Sequence, residues 1–334
     1  MKLKPVAVLG AGSWGTALAI HLARAGLDIR LWGNEPDHME SLRQQRCNQL
    51  FMPDIPFPET LYVYDSLEEV LQSVSWILLA IPSHAFRSFL ASAHDLINAD
   101  VPIVWASKGL EEGTGKLLHQ VINEELPQCS RMAVISGPTF AREVAMNMPT
   151  AITVASNSPS LADEVGHYLH HGNFRAYTSE DIIGVEVGGA LKNVLAIASG
   201  AADGLGFGAN ARAALITRGL AEIIRLGTAM GGQTETFMGL AGLGDLVLTC
   251  TDDQSRNRRM GLKLAQGMSK EDIRKEIGQE IEGVRTAREV MRLAKQYDVE
   301  MPIFEQAYKV LYENLSPLDA VKHLLERKST SEAV

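Results

Sequence analysis

Several stretches of this chain hold residues whose types and spacing can do chemistry. Gly10-Ala11-Gly12-Ser13-Trp14-Gly15 is a GxGxxG turn, set directly after the apolar run Val6-Ala7-Val8-Leu9 and opening a helical pattern. In that setting the first glycine permits a tight turn. The second lets backbone approach a pyrophosphate, and the third allows close packing of strand on helix. The free N–H groups and positive dipole end of the helix start suit phosphate oxygens, with Ser13 and Trp14 among the contacts. A bare glycine turn is the plain alternative; the βαβ length and the following strand favour a dinucleotide. The end of the second strand should read the adenosine ribose, where an acid favours NAD and an arginine NADP. The chain offers Asn34 and Glu35 there. Asn34 can bond a ribose hydroxyl without repelling a 2′-phosphate, so the choice between NAD and NADP stays open.

Other stretches carry charge in places that call for an explanation. Lys192 stands among Ala190, Leu191, Val194 and Leu195, which leave little polar face on a helix. A lysine so placed is paired or poised for chemistry rather than solvated. Lys108 follows an apolar strand at its carboxyl end, the edge where open α/β sheets bind ligands, although an exposed loop lysine is the commoner case. Asp245 follows Gly242-Leu243-Gly244 and can serve as an N-cap or as an acceptor. Ser255-Arg256-Asn257 precedes Arg258-Arg259. It reads either as a solvated helix start or as a cradle for a phosphate dianion, which arginine and helix N–H groups suit.

The elements that must position these groups follow from periodicity. Apolar runs over 5–9, 28–32, 75–81, 101–106 and 132–136 alternate with helical patterns, and 150–155 and 174–177 add two more strands. Continuous apolar strands alternating with helices indicate a Rossmann-type, doubly wound, mainly parallel α/β sheet. Pro53, Pro56 and Pro58 mark 48–60 as a loop. After Ser179 strand signal almost vanishes and long helical stretches dominate. This gives a dinucleotide-binding domain over 1–180, an all-helical substrate and catalytic domain over 181–328, and a disordered tail at 329–334.

Composition bounds the function. The chain has 334 residues, 46% apolar and 21% charged, enough for two packed domains. A formal charge of −9 argues against nucleic acid as partner, while leaving room for a local cationic pocket. Cys47, Cys129 and Cys250 are odd in number and far apart. They argue for a reducing, cytoplasmic setting with neither disulfides nor a metal site. The apolar runs, such as 76–82, are too short for a membrane span. Length and charge do not fix the oligomeric state; a homodimer is compatible.

The ordered motifs resemble one family throughout the span 6–325: the bacterial NAD(P)-dependent glycerol-3-phosphate dehydrogenases. The most specific stretch is Gly189-Ala190-Leu191-Lys192-Asn193-Val194-Leu195-Ala196, continuing through Gly204 and Asn210 to Arg218-Gly219. Ser107-Lys108-Gly109, Gly137-Pro138-Thr139-Phe140-Ala141, Gly242-Leu243-Gly244-Asp245, Ser255-Arg256-Asn257 and Glu282-Gly283 add to it. The resemblance implies interconversion of sn-glycerol 3-phosphate and dihydroxyacetone phosphate, supplying phospholipid synthesis. It implies Lys192 as proton acceptor, and Lys108, Gly137, Thr139, Lys192, Asp245, Ser255, Arg256 and Asn257 at the substrate. Asn34, Lys108, Ala141, Arg256, Glu280 and Glu282 join the glycine turn at the cofactor. Asn34 stands where a basic residue or histidine is more usual, and Glu280 where an apolar residue is, so that contact runs through backbone or is lost.

Overall fold

Continuous apolar runs become strands, because a β-rich segment with no polar face must be covered on both sides. Residues 4–327 are described by the computed structural model. The tail expected from 329 lies outside the described residues. The strands are β1 (Val6–Leu9), β2 (Ile29–Trp32), β3 (Cys47–Asn48), β4 (Met52–Pro56), β5 (Leu61–Tyr64), β6 (Ile77–Leu79), β7 (Ile103–Trp105), β8 (Met132–Ser136), β9 (Thr150–Ser156) and β10 (Phe174–Ser179). Eight form one sheet in the order β10-β9-β8-β7-β6-β1-β2-β5. All neighbours are parallel except β8 and β9. The central strands β1, β6, β7 and β8 are buried throughout, whereas the edge strands β5 and β10 alternate with exposed residues.

The order fixes where a ligand can sit. From β1 the chain winds outward through β2 to β5. It then returns to β6, on the other flank of β1, and winds outward the other way. The reversal between β1 and β6 leaves a crevice at their carboxyl ends, the switch point of a doubly wound sheet.

The segment 48–60, expected to be loop, contains a two-stranded antiparallel ladder of β3 and β4. Proline tolerates such a place because an isolated ribbon has an outer edge where no N–H is needed. Pro53 and Pro56 are exposed, while Met52 and Ile55 point into the core.

The chain divides into two compact units. One is Met1–Ser107 with Leu118–Ile182; the other is Lys108–Leu117 with Ile183–Val334. Sequence reasoning places one boundary near 180, but the chain also lends the short segment Lys108–Leu117 to the helical unit. The reason is apolar: Leu110 and Leu117 are buried within the helical core. Gly113 N donates to the buried Glu289 Oε1 at 3.0 Å, which ties the segment's turn to the helix Glu282–Gln296.

The helical unit is built around Ile182–Gly204, 23 residues buried on nearly every face. By length and composition this helix could cross a membrane, which the short runs read from the sequence did not anticipate. Its apolar window is 83% buried inside the fold, so the apolar character here is that of a core helix. The long helix Ala209–Ala229 and the shorter Arg256–Ala265, Glu282–Gln296 and Pro302–Tyr312 pack around this unit's core.

Candidate active site

The sheet unit shapes its candidate site from backbone. Gly10 has φ +119°, a region that side-chain-bearing residues rarely adopt, and its N–H donates to Trp32 O at 2.8 Å. A Cβ there would sit 2.4 Å from Ala80 O, just beyond β6, so the turn lies in the crevice between β1 and β6. A Cβ on Gly15 would lie 1.8 Å from Gly10 O, which is why the helix Ser13–Arg24 can start against the turn. Gly12 is different: a Cβ there would meet nothing within 4 Å. Gly12 is also the N-cap, no side chain caps the helix, and its first turn carries no acid. This is an open surface with free N–H groups and a positive dipole end, the fit a pyrophosphate requires.

The other sheet-unit residues singled out from sequence fall as follows. Ser13 and Trp14 are half-buried at the helix start, with Trp14 packed against the core. Asn34 and Glu35 are exposed after β2. Gly137 is buried just after β8, where a Cβ would press to 3.0 Å on Ala151 O. Thr139 Oγ1 donates to Gly137 O at 3.1 Å, and Ala141 opens a short helix, Ala141–Ala145. That helix packs on Ser13–Arg24, where Arg24 donates to Ala145 O at 2.6 Å.

The helical unit builds its candidate site from buried charge. A single turn of π-helix, Leu240–Gly244, delivers Asp245 at the start of the helix Asp245–Thr251. Such turns recur at functional sites because they re-aim the residue that follows. Asp245 is completely buried. Its Oδ1 accepts from Lys192 Nζ, and its Oδ2 accepts from Lys108 Nζ at 2.7 Å. Thr249, one turn on from Asp245, accepts a second hydrogen bond from Lys192 Nζ at 2.9 Å and donates to Asp245 O at 2.6 Å.

One carboxylate thus serves two amines in a buried place. It carries one negative charge between two amines, and burial disfavours the charged form of an amine. Lys192, the more deeply buried, gives way. Burial pulls its ammonium down to about 8, with Lys108 adding in the same direction and Asp245 opposing. A neutral Lys192 spends its two hydrogens on Asp245 and Thr249, and its lone pair is left to accept a proton. Thr249 was missed from sequence. The signal that would have found it is the four-residue spacing from Asp245, which matters only once 245–251 is known to be helical.

Nearby, Ser255 caps the helix Arg256–Ala265, accepting from Arg258 N at 3.2 Å. Asn257 is buried: its Nδ2 donates to Asn193 Oδ1, and its Oδ1 accepts from Gly283 N, both at 3.0 Å. Asn257 therefore joins the helix that carries Lys192 to the start of Glu282–Gln296. Arg256 donates to Gln279 Oε1 at 3.3 Å, and burial holds its guanidinium below the usual arginine range. Glu282 interacts with it electrostatically. Glu280 accepts from Arg285 Nε at 3.1 Å, so its carboxylate is committed within the protein. Burial also pushes the Cys250 thiol up to about 12, which removes it as a nucleophile at neutral pH.

Comparison with known proteins agrees on one family. Residues 5–162 match the NAD-dependent glycerol-3-phosphate dehydrogenase N-terminus, and residues 181–322 match the C-terminus of the same family. The chain is 54% identical over 328 residues to the NAD(P)+ glycerol-3-phosphate dehydrogenase of Shewanella sp. (strain MR-4), covering 98% of this chain and 97% of the relative. It is 53% identical over 332 residues to that of Thioalkalivibrio sulfidiphilus, covering 99% and 100%. Among solved structures it is similar to glycerol-3-phosphate dehydrogenase from Coxiella burnetii, with TM-score 0.94 and 49% identity over 98% of this chain and 100% of the other.

Proposed function

We propose that this chain, which belongs to the NAD-dependent glycerol-3-phosphate dehydrogenase family, interconverts sn-glycerol 3-phosphate and dihydroxyacetone phosphate with NAD or NADP as hydride carrier. The observation that carries this reading is the Lys108–Asp245–Lys192 cluster, two amines on one buried carboxylate with Lys192 lowered to about 8.

When bound, the dinucleotide supplies or takes the hydride at its nicotinamide carbon. Gly10, Gly12, Ser13, Trp14 and Gly15 would hold its pyrophosphate, with Asn34 at the ribose. Ala141, Lys108, Arg256 and Glu282, and the backbone of Glu280, are further cofactor contacts by family likeness. In the oxidising direction a neutral Lys192 accepts the proton of the substrate's secondary hydroxyl through its free lone pair. Lys108 stabilises charge developing on that oxygen. Asp245 orients both amines. In the reducing direction the Lys192 ammonium returns the proton. Arg256 and the helix start at Ser255 offer donors to the phosphate dianion, with Asn257 holding that helix start in place. Gly137 and Thr139 are substrate contacts by the same likeness.

By this reading the partner is a small phosphorylated metabolite, and the product serves phospholipid synthesis. A reducing cytoplasm suits Cys47, Cys129 and Cys250, which are all free and buried. A homodimer is the assembly proposed, open to light scattering. Steady-state assays with dihydroxyacetone phosphate and each reduced dinucleotide test the reading. Saturable turnover with at least one is expected. Turnover of a 2-keto acid in place of dihydroxyacetone phosphate would overturn it.

A further inference from the structure

We propose that Asp203 is a positioning residue for the substrate-phosphate clamp, holding Arg256 and its helix start in register with the helix that carries Lys192. This rests on the proposed reading that Arg256 binds the substrate phosphate. Asp203 itself touches no candidate substrate group; it acts through Arg258.

Asp203 lies near the end of Ile182–Gly204, about three turns beyond Lys192. Its Oδ2 accepts from Arg258 Nη1 at 2.5 Å and from Arg212 Nη1 at 2.8 Å. The Asp203 and Arg258 side chains are 11% and 9% exposed, so this is a buried pair, whereas Arg212 is 33% exposed. The Arg258 guanidinium also donates to Asp253 Oδ1 at 2.9 Å and to Cys250 O at 3.1 Å. Its backbone N–H is the one capped by Ser255. Arg258 thus gathers the loop from Cys250 to Ser255 around the first turn of Arg256–Ala265, and Asp203 anchors that gathering residue to the catalytic helix. Ser199, on the same helix, adds a donor to Cys250 O at 3.0 Å.

The packing gives such an anchor a role beyond the Asn193–Asn257 hydrogen bond. A Cβ on Gly200 would lie 2.0 Å from Arg258 O, and one on Gly261 would lie 2.0 Å from Ile197 O. The two helices therefore meet backbone to backbone, with no interlocking side chain at these points to prevent sliding. An ion pair with fixed geometry supplies the register that side-chain packing does not supply there. A shift of the clamp helix would move Arg256, whereas Lys192, Asp245 and Thr249 hold one another through bonds that include neither Asp203 nor Arg258.

The test is Asp203→Asn, assayed with dihydroxyacetone phosphate and with phosphate-free dihydroxyacetone. The loss expected is that of a charge-assisted bond, a rise of ~10–100-fold in KM for the phosphorylated ketone. We expect kcat to stay within about threefold and the pH profile to keep its inflection. Turnover of dihydroxyacetone should be unchanged, because it has no phosphate to clamp. Arg212→Gln, which leaves the Asp203–Arg258 pair intact, should keep KM within about twofold. If Asp203→Asn does not fold, Arg258→Lys carries the same measurements and expectations, since it keeps the charge and loses the fork. Equal losses with both ketones would reduce Asp203 to a stability role and overturn the proposal, as would an unchanged KM. Failure of the wild-type protein to turn over dihydroxyacetone phosphate would instead overturn the functional reading itself.

Discussion

The sheet unit and the helical unit solve the problem of holding a ligand in opposite ways. The glycine turn recruits no charged side chain. It offers open N–H groups and a helix dipole, made reachable because Gly12 leaves space. The amine cluster is all side chain: Lys108, Lys192, Asp245 and Thr249 lie in a buried place where each charge depends on its neighbour. Backbone sites are suited to a ligand part that does not react. Buried side-chain charge is suited to a proton that must move, because burial is what brings a lysine near neutrality.

The largest expected break is Lys192→Ala. Turnover should fall by roughly 100-fold or more, the scale of lost acid–base catalysis, while dinucleotide binding, followed by fluorescence titration, stays intact. Near-normal turnover would remove Lys192 from the chemistry. Gly10→Ala breaks the other side. With φ at +119° and Ala80 O in the way, dinucleotide affinity should drop by about 10-fold or more. Equal dinucleotide affinity in the variant would refute the backbone account of that site.

The pH dependence sharpens the comparison, since only the side-chain site titrates near neutrality. Lys192 is lowered to about 8. Alcohol oxidation needs the neutral amine, so its rate should rise by about tenfold per pH unit below 8 and level off above. Ketone reduction needs the ammonium and should fall as pH rises through the same value. Profiles with the same slope in both directions would contradict this. Because the folded pKa is depressed, the Lys192 ammonium penalises folding fully below 8, and the penalty fades between 8 and the ordinary lysine value of 10.5. The smallest effect is Thr249→Val. It removes one acceptor from the ammonium, so kcat should fall by about fivefold and the inflection should move to lower pH. An inflection at or above its wild-type position would assign Thr249 to packing alone.

The same contrast explains what could be read from sequence. The strand, turn and helix around Gly10–Gly15 are contiguous, so local spacing was enough. The amine cluster draws Lys108, Lys192 and Asp245 from distant parts of the chain, and no local spacing joins them. Only the likeness of whole motifs did. Thr249 escaped because the helical stretches read from the sequence leave out 245–251, which forms a helix after a π-turn. The β3–β4 ladder escaped because its prolines argue against strands except at an edge. Ser255 is a substrate contact only by family resemblance; its geometry as a helix cap needs the Arg258 N–H, which no side-chain pattern displays.

The segment Lys108–Leu117 makes the order of synthesis matter. It leaves the ribosome early, inside the stretch that becomes the sheet, yet Leu110 and Leu117 belong to a core whose helices are translated after residue 183. Those two leucines wait uncovered until the second half arrives, and with them waits the Lys108 amine. Severing the gene at the apparent junction near 180 would therefore give a helical fragment short of two core leucines and one of its cations.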